Sequence, residues 1–299
     1  MTSSIVESRE AEALGNGVEI RHVRTHAEFV SCVELQIATW GAAFREVIPA
    51  TMLKITQRLG GVTAGAFAAD GALLGFIFGI TGVEHGDIVH WSDMLAVRDA
   101  VQNQGIGRQL KAFQRDAVCA IGATRMYWTF DPLVARNAHF NLNRLGARVT
   151  EYVPDMYGAD TGSVLHSGFG TDRFVVVWPI GGPPPAPGGS RSPHPIVPRP
   201  LAPSANEIPI LNAVTEGRDD DPSRFASSLP QQLRIAIPSD IFRVSAESVA
   251  RASHWRATTR RAFQWALESG YTVERFERHD AADRGFYVLA RTPAHSAET

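Results

Sequence analysis

The chain has 299 residues, 44% of them hydrophobic, with 29 Lys and Arg against 31 Asp and Glu for a formal net charge of −2 at pH 7. So much apolar mass can bury the core of one large or two modest domains, and the balanced charge offers no electrostatic case for a nucleic-acid partner. The two cysteines, Cys32 and Cys119, stand outside any metal-ligand spacing; they read as buried thiols of a reducing compartment, and no metal is expected.

In chain order, residues 1–17 are polar and mixed in charge, a flexible start with neither the basic segment nor the apolar run of a secretion signal. Alternation over 18–24 predicts a first strand. Thr25-x-x-Glu28 makes a capping box ahead of a helix with Phe29, Val33, Ile37 and Trp40 at helical spacing. Pro49 suits the first position of a second helix, which carries Met52, Ile55 and Leu59 on one face before Gly60-Gly61 stops it. Strands over 63–69 and 73–80 flank Asp70-Gly71, a pair suited to a type I′ hairpin turn with positive φ at both centres. The apolar run 73–83 is too short to cross a bilayer, so no membrane partner is expected and the chain is placed in the cytoplasm. A strand over 88–97, a glycine-punctuated loop and a helix from about 108 to 120 follow. Next come a strand over 125–130, a helix over 135–145 closed by Gly146, and strands over 148–152 and 173–178.

The stretch between these last two strands holds Tyr157, Asp160 and His166 and is long enough to cover a site. Residues 179–204, dense in proline and glycine, read as a linker. Beyond it, 205–299 carries a strand over 233–237, a long helix over 245–267 and strands over 271–276 and 286–290. That order repeats the second half of the preceding domain, 18–178. Arg and Asp stand six apart at 125 and 131 and again at 234 and 240, and Gly146 and Gly270 each end a helix before a strand. The tail therefore reads as a partial repeat, too small to be stable alone and expected to pack on the first domain or on a partner subunit. The alternative is a common supersecondary order met twice.

The chemistry concentrates at 88–108. The loop Gln102-Asn103-Gln104-Gly105-Ile106-Gly107 opens a helix at Arg108. The first N–H groups of a helix lack intrahelical partners and carry the positive end of the macrodipole, so such a loop can wrap a phosphate or pyrophosphate. Gly105 and Gly107 remove side chains that would block close approach, while Gln102, Gln104 and Arg108 can add donors. Leu110 stands where a dinucleotide fingerprint has its third glycine, and the Gly-Lys-Ser/Thr of a Walker loop is absent. A tight turn without a ligand is the alternative. The spacing Leu95-x-Val97, four residues, then Gln102-x-x-Gly105-x-Gly107 closely resembles the acyl-CoA-binding motif of the GNAT acyltransferase superfamily.

The resemblance covers residues 18–178 and implies an α/β (α+β) fold: a GNAT-like mixed, mainly antiparallel sheet flanked by helices, here with a smaller C-terminal strand-helix-strand-strand unit. It implies that acetyl-CoA or another acyl-CoA is the co-substrate, with no metal. The loop of Gln102, Asn103, Gln104, Gly105, Ile106, Gly107 and Arg108 would hold the pyrophosphate. The exposed backbone of Leu95, Ala96 and Val97 would pair with the pantetheine arm, which Asn137, and Asn141 one turn on, would face from the later helix; both asparagines are otherwise solvated. The reaction implied is N-acyl transfer, acetyl in the simplest case, to the amine of a small molecule or amino acid, and homodimers are common in the family.

Such a reaction needs a general base, a donor to the developing oxyanion and an acid for the leaving thiolate. His90 and Asp93 are the candidate bases. By alternation His90, Ser92 and Met94 share one face of the strand and Trp91, Asp93 and Leu95 the other, so His90 and Asp93 cannot both face the site, and either can instead be structural. Tyr157 is the candidate hydrogen-bonding group on the acceptor side. At the position of the family's usual acidic tyrosine this chain has Leu142, which cannot donate a proton. Two rival readings follow: a CoA-binding regulatory or scaffold module without turnover, and a succinyl-type acyltransferase whose second carboxylate is held by Arg256, Arg260 and Arg261.

Overall fold

The computed structural model describes residues 17–158, 161–163, 170–181, 208–212, 222–279 and 283–291. The predicted flexible start up to residue 16, most of the predicted linker, Asp160 and His166 lie outside the described residues. The described residues form two compact units: one of residues up to Trp128 with 161–163 and 179–181, the other of 129–158, 170–178 and those from 208 onward. One boundary between the units falls within a strand, between Trp128 and Thr129.

The first unit contains β1 (Glu19–His22), α1 (His26–Trp40), α2 (Ala50–Arg58), β2 (Val62–Phe67), β3 (Leu73–Glu84), β4 (Asp87–Val97), α3 (Ile106–Ala120) and most of β5 (Arg125–Phe130). Its sheet runs β1-β2-β3-β4-β5, antiparallel except for the parallel β4–β5 pair. This is the expected mixed, mainly antiparallel architecture. The capping box forms at the start of α1: Glu28 N–H donates to Thr25 Oγ1 at 3.2 Å, and the Glu28 carboxylate accepts from Thr25 N–H at 3.2 Å. Thr25→Ala should lower stability by about 1 kcal/mol, read as a shift of the urea midpoint at unchanged m.

Pro49 is the N-cap of α2 rather than its first helical residue, with extended backbone at φ −64° and ψ 150°. The helix buries Leu53 and leaves Met52, Ile55 and Leu59 exposed, so the sequence stripe is its outer face. Leu53 joins Phe29, Cys32, Leu35, Phe67, Phe76, Phe78, Met94 and Ala96 in one core.

Two turns exchange roles relative to expectation. At Asp70-Gly71 only Gly71 has positive φ, and Gly71 N–H donates to the Ala68 carbonyl. That is a type I turn followed by a left-handed glycine, not a type I′ turn. Positive φ at both centres occurs instead at His85 and Gly86, in the tight β3–β4 hairpin that pairs Glu84 with Asp87.

The β3–β4 ladder carries a bulge. Phe78 pairs with Met94 and Gly79 with Ser92, so Asp93 is the extra residue. One added residue reverses alternation. The predicted common face of His90, Ser92 and Met94 is therefore broken. Met94 and Ala96 enter the α1–α2 core, whereas Ser92 bonds to Lys111 of α3, and the Leu95 and Val97 side chains lie near Gly107 of that same helix.

The second unit holds the end of β5, α4 (Ala135–Ala138) continued as a π-helical segment (His139–Arg144), β6 (Arg148–Val153), β7 (Arg173–Pro179), β8 (Gln232–Pro238), α5 (Ile241–Glu247), α6 (Val249–Glu268), β9 (Tyr271–His279) and β10 (Arg284–Arg291). The predicted long C-terminal helix is two helices. Ser248 lies between them in extended backbone and caps α6 by accepting from Arg251 N–H. Cys32 is buried and Cys119 half-buried, and the two form no disulfide. No helix among the described residues is long and apolar enough to cross a membrane.

Candidate functional site

In the first unit, β4 ends in a short 3-10 turn (Asp99–Val101), and the backbone then swings into α3 through Asn103 at φ 64° and Gly105 at φ 85°. These two left-handed residues fold the loop back so that α3 starts at Ile106 with its first N–H groups open. Glycine takes that conformation without strain, and a Cβ at 105 would meet nothing within 4 Å. A Cβ at Gly107 would meet only Leu95 Cδ2 at 3.5 Å and Val97 Cγ2 at 3.9 Å. Internal packing therefore does not demand glycine at 107, whereas a ligand lying against the backbone would. Gln102 is spent within the loop: its amide donates to the Val97 carbonyl at 3.2 Å and to Asp99 at 2.6 Å. Gln104 and Arg108 belong to the same loop and first turn.

The edge of β4 beside this loop is also open. Its parallel ladder with β5 pairs Val89 with Arg125, His90 with Met126 and Trp91 with Tyr127, and ends there. The backbone of Leu95, Ala96 and Val97 pairs with Ile77, Phe76 and Gly75 of β3 on the other edge. Beyond Trp91 the β5-side edge is available to an extended, amide-bearing ligand.

The bulge separates the two candidate bases. Asp93 is exposed at its surface yet ringed by protein; desolvation first, then the like charge of Glu46, raises its carboxyl above the usual range, and a hydrogen bond from Trp91 opposes this. Glu46, on the loop between α1 and α2, went unnoticed in the sequence because nothing in its local pattern links it to residue 93. His90 is fully buried. The Thr81 hydroxyl donates to the Gly60 carbonyl at 2.7 Å, so His90 Nδ1–H donates to Thr81 Oγ1 at 2.9 Å and Nε2 is left as a bare acceptor. Burial and then the charge of Lys111 push the imidazole down to about 3, keeping it neutral. Lys111 is itself buried, donating to Ser92 Oγ at 2.8 Å and lying 4.0 Å over the Trp128 ring, and burial lowers its ammonium to about 7.

The second unit carries the remaining candidates. Asn137 is half-buried in α4, and Asn141 is buried in the π-helical segment that continues it. Leu142 is buried. The Tyr157 hydroxyl shares a hydrogen bond with Thr129 at 2.8 Å, its backbone N–H donates to Thr171 Oγ1, and the Arg173 guanidinium lies 5.2 Å from its ring. Around it runs an ionic network: Arg256 donates to Asp131 at 2.6 Å, Arg173 pairs with Asp131, and Arg260 joins Asp155 and Asp172. Among the described residues no three His, Cys, Asp or Glu side chains converge as a metal site.

No family model matches the chain, and no curated protein matches it. Solved structures do. A protein of Desulfovibrio desulfuricans assigned to the GNAT acetyltransferase family is 16% identical, with a TM-score of 0.43 over 55% of this chain and all of its own. An aminoglycoside 6′-N-acetyltransferase complexed with coenzyme A is 14% identical, with a TM-score of 0.41 over 56% of this chain and 99% of its own. The ribosomal-protein-S18-alanine N-acetyltransferase of Escherichia coli is 16% identical, with a TM-score of 0.42 over 56% of this chain and 96% of its own. The likeness is one of fold.

Proposed function

We propose that this chain is a GNAT-type, acyl-CoA-dependent N-acyltransferase acting on a small amine. One observation carries the reading: the left-handed backbone at Asn103 and Gly105, the bare first turn of α3 and the open β4 edge lie consecutively on one stretch of chain. Together they offer an anion cradle beside a strip of backbone that β5 does not pair, with the Val97 carbonyl taken by Gln102; these are the features a pyrophosphate and an amide-bearing arm require.

Asp93 is the base we favour over His90, which is interior and neutral. A carboxylate whose pKa is raised by burial is a stronger base than a free one and can take a proton from an ammonium directly or through water, and Glu46 beside it adds attraction for that cation. The amine then attacks the thioester carbonyl, β4 backbone N–H groups stabilise the oxyanion, and as the C–S bond breaks the nitrogen releases its second proton to water while the thiolate takes one up. Tyr157 is the candidate proton donor in place of Leu142. Asp93→Asn should reduce turnover roughly a hundredfold and remove the rise of activity with pH, while CoA affinity stays unchanged; wild-type turnover at every pH would exclude it as the base.

The buried Leu142 favours a second reading, a CoA-binding module without turnover. A thermal-shift titration with CoA, acetyl-CoA and succinyl-CoA, followed by thiol release against an amine panel, separates the two. Stabilisation with acceptor-dependent thiol release is the expected result and names the acyl donor. Stabilisation without release on any acceptor supports the module, and no stabilisation by any CoA species overturns the loop assignment.

A further inference from the structure

We infer that residues 232–291 are a second copy of the strand-helix-strand-strand module that begins at β5, and that this copy serves in cis as the module's two-fold partner. The strand orders agree, β5-β7-β6 and β8-β10-β9. Agreement in order alone is common; agreement in irregularities is not.

The two copies match at each irregular point. Asp131 and Asp240 both follow their strand and turn the chain, each accepting through Oδ1 from the N–H two residues on, Leu133 and Phe242, at 2.8 and 3.0 Å. Gly146 and Gly270 stop the two helices at φ 69° and 81°. Four residues beyond each glycine lies a bulge. Val175 pairs with Glu151 and Val176 with Val149, leaving out Thr150; Val288 pairs with Arg275 and Leu289 with Val273, leaving out Glu274. One pair from each bulge stands a cross-strand aromatic couple, Phe174 with Tyr152 and Tyr287 with Phe276. Bulges are specific insertions in register, and equal offsets from both the glycine and the aromatic couple set the two ladders in the same frame.

Equivalent residues also meet. Phe174 and Tyr287 pack edge to face with centroids 5.5 Å apart, the self-contact expected close to a two-fold axis. The flanking contacts are reciprocal in place. Phe263 of α6 packs on Tyr152 at 5.5 Å, while Asn143 of the π-helical segment brackets Phe276 by accepting from its N–H at 3.1 Å and donating to its carbonyl at 2.6 Å. Each helix thus lies on the other copy's outer strand. The apolar face of β6 and β7 is therefore an interface whose partner is the chain's own duplicate.

Two measurements test this. A crystal structure should superpose 125–130, 148–153 and 173–178 on 234–239, 272–277 and 286–291 by close to a half-turn, with Thr150 on Glu274 and Phe174 on Tyr287. A bulge at a different offset, or a rotation far from a half-turn, overturns the duplication. A specific protease site inserted after Ser190 of the full chain, cut after folding, should leave both pieces eluting together at the mass of the uncut chain. Phe263→Ala should then lower the urea concentration at which the cut pieces part. Pieces that separate without denaturant, or a parting point unmoved by Phe263→Ala, overturn the in-chain interface.

Discussion

A Gly107→Glu chain should show no thermal stabilisation with CoA, acetyl-CoA or succinyl-CoA at concentrations where the parent gains about 2.7 kcal/mol, that is, near a hundred times its dissociation constant. The side chain would start 3.5 Å from Leu95 and 3.9 Å from Val97, ordinary contacts that leave the fold intact. From there it would place bulk and negative charge between the first turn of α3 and the end of β4. A phosphate would then meet a carboxylate instead of open N–H groups, reversing the sign of the interaction that makes a helix start an anion site. Gly107→Ala should keep the fold and lose part of the affinity. Retained affinity in the Glu variant would sink the assignment of the loop.

Lys111→Met should stabilise the protein by about 3 to 4 kcal/mol at pH 6, with the gain shrinking steadily toward pH 10. The sign follows from where the proton sits. Burial lowers the folded-state ammonium from 10.5 to about 7, and Ser92 and the Trp128 face supply no countercharge. Between these values the unfolded chain holds a proton that the folded chain has released, so stability rises with pH by at most about 1.4 kcal/mol per unit. Below pH 7 both states are charged and the whole penalty is present. Methionine fills a similar volume and carries no charge to desolvate. Urea midpoints at pH 6, 8 and 10 measure the effect, and a destabilised variant at pH 6 would show that the Ser92 and Trp128 contacts outweigh the cost of burying the ammonium. His90 acts in the opposite window. Its folded value of about 3 against 6.5 unfolded makes stability fall as pH drops from 6.5, and removing the Lys111 charge should ease that acid limb.

Cap chemistry was legible without coordinates because it is local. Thr25 with Glu28 satisfies backbone groups within a few residues and appears as read, and the loop of 102–107 opens a helix as expected, although its Gln102 amide is spent on Val97 and Asp99. The bulge at Asp93 was not, because period-two alternation assumes a register that only the partner strand sets. The same assumption put Met94 with His90. Glu46 was missed for a related reason: its approach to Asp93 depends on how the α1–α2 loop is seated. Residues 161–163 dock on that loop, with Arg45 N–H donating to the Thr161 carbonyl and no room for a Cβ at Gly162 beside the Ala43 carbonyl oxygen. The type I′ turn at His85-Gly86 escaped notice because histidine rarely adopts positive φ, whereas Asp-Gly advertises it.

The aromatic core of the second unit sets an order of events during synthesis. Its closing bonds span much of the sequence: Tyr287 donates to the Pro132 carbonyl across 155 residues, and Asn143 grips Phe276 across 133. A ribosome adding roughly 5 to 20 residues per second needs many seconds to make that span. Meanwhile Tyr152 and Phe174 are already translated and lack Phe263 and Tyr287 to cover them. The first unit, apart from its short later segments, can condense early, while the second waits for nearly the last strand. A nascent chain stalled before residue 263 should therefore be a chaperone client, and one released past residue 291 should not.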